Sequence, residues 1–113
     1  FRREIADGVS ILRQTGADVI LMAPQFAPRF NDLPNRMAFV RAVDEIASKA
    51  DAVLFPRHAI MRYWFDSGRF DFKTMLSPDG LHLNDLSYDC VAQLLAEQIE
   101  TIARPPDSAR STR

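Results

Sequence analysis

Two short apolar runs, "ADVILMAP" and "ADAVLFP", constrain this chain more than any other feature. Each opens on Ala-Asp and is stopped by a proline. Val19 to Ala23 holds no polar residue, so neither of its faces is built for water. A half-exposed strand alternates; an unbroken run of this length fits a strand buried on both faces, in a parallel sheet covered by helices. Proline cannot donate to a ladder, which sets the end of each run. Between the runs, Phe39, Val43, Ile46 and Ala50 recur at helical spacing, and Asn35 is placed to cap that helix. Before the first run, Ile5, Val9 and Leu12 repeat at i, i+4 and i+7, and Gly16 suits a C-terminal cap. Helix, strand, helix, strand is the βαβ rhythm of an open parallel sheet, whose crossovers are right-handed. "PQFAPRFNDLPN" carries three prolines and reads as a loop.

Downstream, Ile60, Met61, Trp64 and Phe65 form one apolar stripe on a short helix, and "RFDFKTML" reads as an irregular aromatic connector. A last helix is predicted from about Asp85 to Ala103, capped by Asn84, with Tyr88, Val91, Leu95, Ile99 and Ile102 facing inward. Residues 1–103 therefore read as part of one α/β domain, and 104–113 as a polar, disordered tail. Two strands leave a sheet edge and a face open. The expectation is that further strands lie upstream of Phe1, that the chain is a piece of something longer, and that the isolated piece self-associates through its open sheet.

Several functions are excluded or left without support at this stage. A net charge of −1 gives no electrostatic footprint for nucleic acid or an anionic membrane. No apolar run approaches the ~20 residues that a membrane-spanning helix needs. The single Cys90 rules out an internal disulfide and leaves the compartment open, a secreted or periplasmic parent included. His58, His82 and Cys90 are too scattered for a metal site, and no cofactor is expected. Cys90 reads as a small helix residue, and His58, after a strand-ending proline, as a surface histidine.

The chemistry-bearing stretch is "SPDGLHLNDLSYD", Ser77 to Asp89. On its own, Asp79 reads as a turn former beside Gly80, and His82 as a residue flanking the helix start. The block "SPDGLHLNDLSYDCVAQLLAEQI", however, resembles the last block of the SGNH (GDSL-type) hydrolases, where an Asp-x-x-His pair precedes a C-terminal helix. "GADVILMAP" and "ADAVLF" are similar to the fourth and fifth strands of that family. The resemblance implies the C-terminal part of a three-layer α/β/α, flavodoxin-like fold with parallel strands. It implies that Asp79 and His82 are catalytic and sit at the carboxyl ends of the strands. It implies a serine hydrolase that cleaves a small-molecule or carbohydrate ester through an acyl-enzyme.

The spacing suits that chemistry. Serine is a poor nucleophile without an adjacent base, histidine is the natural base near neutral pH, and its ring must be held in one tautomer by a second group. An Asp three residues earlier on a tight turn can fold back onto the ring, and Gly80 lets the turn bend. The Gly-Asp-Ser block that carries the family's nucleophile has no counterpart: Ser10 and Ser48 lie inside predicted helices and Ser77 stands in another block. The oxyanion glycine and asparagine blocks are absent too, and Asn31-Asp32 follows a proline loop rather than a strand end. Ser87 stands where a glycine is common. The alternative to a hydrolase is a non-catalytic α/β module that binds a ligand or a partner. Trp64, Phe65, Phe70 and Phe72 read first as core; Trp64 and Phe65 are also candidates for a wall of the substrate pocket, since their segment leads into the His82 loop. Arg29, Asn31 and Asn35 follow a strand end and read as a solvated loop near that site.

Overall fold

The two apolar runs pair with each other. In the computed structural model, which describes residues 1–104, β1 (Ile20–Met22) lies parallel to β2 (Val53–Phe55), with Ile20 opposite Val53 and Met22 opposite Phe55. Flanking hydrogen bonds from Val53 N–H to Val19 O and from Ala23 N–H to Phe55 O extend the ladder at both ends. Helix α1 (Arg2–Gln14) precedes β1; α2 (Pro28–Asn31) and α3 (Arg36–Lys49) form the crossover to β2. Then come α4 (Arg57–Asp66), the single turn α5 (Phe72–Met75) and the long α6 (Asp85–Ala103).

Successive strand residues point to opposite faces. Leu21 accordingly joins Val9 of α1, Val19 and Ile46 of α3 in one apolar cluster. Ile20 and Phe55 join Met61 and Trp64 of α4, Met75 of α5 and Val91 of α6 in the other, larger one. The sheet is thus covered by helices on both faces, a mixed α/β arrangement with parallel strands.

The edges of the sheet differ. Val53 and Phe55 bond toward β1, so Leu54 turns its backbone outward, and its carbonyl accepts a 2.9 Å hydrogen bond from Gln98 Nε2 of α6. On the far side, no hydrogen bond between described residues reaches the outward backbone groups of Ile20 and Met22, and Met22 is exposed.

Several local expectations are corrected. The proline-rich stretch is not all loop: Pro28 presets the first turn of α2, and Phe26, Ala27 and Phe30 pack against the larger cluster. Asn35 precedes α3 but makes no side-chain cap, because its backbone (φ −104°, ψ 10°) is outside the extended region from which capping side chains reach back. The buried stripe of α3 is Ala42, Val43, Ile46 and Ala47; Phe39 is exposed and packs edge-on against the ring of Phe1. Small alanines let α3 approach the sheet closely, which rotates the larger Phe39 outward.

The aromatic connector holds α5, closed by a capping box in which Asp71 accepts from Thr74 N–H and Thr74 Oγ accepts from Asp71 N–H. On α6, Asn84 is the N-cap as predicted, accepting from Ser87 N–H. The buried face of that helix is different, however: Ser87 and Val91 are buried, while Tyr88 and Ile99 are exposed. Ser87 Oγ donates to Met75 O at 2.6 Å, and this bond fixes the rotation of the helix. The polar tail expected over 104–113 lies, beyond Arg104, outside the described residues.

Candidate active site

The loop between α5 and α6 is a small closed structure. Leu76 and Leu83 form an antiparallel bridge, and Ser77 N–H donates to His82 O at 2.7 Å. Within the bridge, Gly80 N–H donates to Ser77 O at 2.9 Å and closes a turn with Ser first, Pro second and Gly fourth, positions those residues favour. Gly80 has φ 69°, the left-handed region that glycine adopts without steric cost. Asn84 Nδ2 donates to Thr74 O and Ser77 Oγ to Leu83 O, which ties both stems of the loop down.

This turn delivers Asp79 to His82. Asp79 Oδ1 accepts from the backbone N–H groups of Leu81 (2.9 Å) and His82 (3.0 Å). Its other oxygen, Oδ2, lies 2.5 Å from His82 Nδ1. The bond to the His82 ring, and then the two backbone donors, hold the Asp79 carboxyl at a pKa of about 2. At neutral pH it is therefore an anion that can only accept, so Nδ1 must carry the proton of a neutral His82 ring. Nε2 is left with its lone pair, on a side chain 66% exposed, and no hydrogen bond joins it to a described residue. The arrangement is an oriented base with its basic nitrogen facing out.

One concavity borders the loop, and a second is joined to it through Gln25. An open groove of about 760 Å³ is lined by Phe72, Lys73, Leu76, Ser77, Pro78, Gly80, Asn84 and Asp85. Neither Asp79 nor His82 lines it. On the other side, Gln25 Nε2, just past the carboxyl end of β1, donates to Leu81 O and fastens the loop to the sheet. Gln25 also lines a narrower, apolar pocket of about 210 Å³ with Phe26, Phe30, Phe39 and His58 among its walls.

Of the residues singled out in the sequence, Asp79 and His82 are brought together. Trp64 is buried in the core, edge-on to Phe70 at 5.5 Å. Phe65 stacks on Phe72 at 4.4 Å and packs against Phe26, so it stands behind a wall of the apolar pocket. His58 is not a surface histidine. It is buried on the first turn of α4, edge-on to Phe26 at 5.5 Å, and this burial, with Arg62 and Arg36 nearby, lowers its pKa. Its neighbour Arg57 donates to Ala23 O at 3.0 Å and so braces the end of β1. Gln25 and Phe26 were missed in the sequence; the available signal was their position directly after a strand-ending proline, where α/β sheets place ligands. Among the described residues, no cluster of His, Cys, Asp and Glu is placed to hold a metal. No helix there is long and apolar enough to cross a membrane.

A family model described as the Non-GDSL lipase-like family, related to the GDSL/SGNH lipases, matches residues 1–105. No curated protein and no solved structure matches the chain.

Proposed function

The chain belongs to the Non-GDSL lipase-like family, and from that premise we propose that it forms part of an SGNH-type serine hydrolase acting on an ester. The observation that carries this is the Asp79–His82 pair, with Nδ1 bound to a carboxylate and Nε2 open. In the proposed reaction, His82 Nε2 takes the proton of a serine hydroxyl as its oxygen attacks the ester carbonyl. The same nitrogen returns that proton to the departing alkoxide. Water, deprotonated by His82, then releases the acid and restores the serine. Asp79 holds the ring in its tautomer and stabilises the imidazolium that forms.

The serine is not one of the described residues engaged elsewhere. Ser67, Ser77 and Ser87 each spend their hydroxyl on a backbone carbonyl, and Ser10 and Ser48 lie within α1 and α3. Because no Gly-Asp-Ser block stands anywhere in the sequence, the nucleophile and oxyanion donors are proposed to come from outside it, and the chain by itself is expected to be inactive on esters. That no hydroxyl of a described residue meets Nε2 leaves a second reading, a ligand- or partner-binding module without turnover.

Kinetics on the complete, active protein separate the two. His82→Ala is expected to lower kcat by at least about a thousandfold, and Asp79→Asn by less, because the Asp acts through the ring. Near-normal turnover by His82→Ala sinks the assignment.

A further inference from the structure

The apolar pocket beside the Gln25 bond is a cavity that the Asp79–His82 chemistry does not use directly. It holds about 210 Å³, and its walls include the rings of Phe26, Phe30 and Phe39. A dry cavity of about 150 Å³ accepts a benzene, so this one fits an aromatic ring with its linking atoms and is too small for a long acyl chain. Aromatic walls favour such a guest, since rings pair edge-to-face and offset. One polar group stands in the lining without a hydrogen bond to any described residue: the buried His58 ring. Burial lowers its pKa, so at neutral pH it offers one N–H and one lone pair. Gln25 and Arg36 line the pocket as well, and a largely apolar pocket with a few polar groups is the form that small-molecule sites take. Its position is set by Gln25, which lines the pocket and donates to the carbonyl of Leu81, the residue before His82.

We infer that this pocket receives the compact, aromatic-sized apolar group of the substrate, with His58 as its hydrogen-bonding wall. The inference rests on the hydrolase assignment for the word substrate, but binding itself does not. It selects esters of short or aryl groups over long-chain lipids.

The test uses this chain and the uncharged probe 4-fluorobenzyl alcohol, followed by fluorine NMR line broadening. The probe is expected to bind the wild type and His82→Ala equally. Val40→Phe, which puts a ring into the cavity from α3, is expected to weaken binding at least tenfold. Should Val40→Phe fail to fold, Leu33→Trp on the exposed rim serves the same purpose. No binding to the wild type, or equal binding to the filled variant, overturns the inference. If binding behaves as expected while His82→Ala keeps full turnover of benzyl acetate in the complete enzyme, the pocket stands and the hydrolase assignment alone falls.

Discussion

At the scale of single residues, the candidate site is a matter of one carboxylate and one glycine. Asp79 uses both oxygens, one for the backbone and one for the ring, so its charge organises the loop as well as His82. Its pKa falls from 3.8 to about 2. A depressed carboxyl pKa means that the folded state favours the anion, so the stabilisation is complete above pH 3.8 and is lost as pH falls through about 2. Amide exchange at Leu81 and His82 should therefore speed up between those pH values, ahead of the β1–β2 amides; uniform loss of protection would show that the carboxylate does not hold the loop. Gly80 makes a separate prediction. A Cβ there meets no atom within 4 Å, so Gly80→Ala costs only the left-handed backbone, about 1–2 kcal/mol. Urea unfolding measures it, and an unchanged midpoint contradicts the turn. Local spacing made this pair legible in the sequence, because the Asp and the His are three positions apart on one turn. Gln25 and His58 were not legible as site residues. Gln25 meets Leu81 across 56 positions, and His58 is buried by Phe26, which lies far from it along the chain.

At the scale of elements, the strands were readable because nothing but burial on two faces explains a run such as "VILMA", and proline marked its end. Helix rotation was less readable. Hydropathy put Tyr88 and Ile99 of α6 inside, whereas the inward face carries the buried Ser87 and the half-buried Gln98, whose hydroxyl and amide N–H donate to Met75 O and Leu54 O, Gln98 Oε1 being left without a partner among the described residues. Those acceptors are invisible to a periodicity count. The same limit applied to α3, where close approach by Ala42 and Ala47 outweighed the size of Phe39. Helix α4 separates packing from recognition: Trp64 is 5% exposed, in the core, and Phe65 is 37% exposed, in the ring stack. Trp64→Ala should cost about 3–5 kcal/mol by thermal or urea unfolding, without changing substrate preference in the complete enzyme. A shift in preference with little loss of stability would instead put Trp64 on the pocket wall.

At the scale of the whole molecule, apolar surface remains uncovered at Ile11, Leu12 and Met22, each at least 38% exposed. The isolated chain is expected to bind a hydrophobic dye and to associate through the open side of β1. A monodisperse monomer by analytical ultracentrifugation, with no dye binding, contradicts this. The way such association ends is set by the amide of Gln98 on the outward carbonyl of Leu54. In the language of polymer chemistry the sheet is close to monofunctional: on one rim a side chain occupies the outward carbonyl of Leu54, and the other rim is reactive. Two copies joined rim to rim consume each other's only valence, and the product has a terminated rim at both ends. Growth then stops at a pair, where a bifunctional sheet would run on into a fibre.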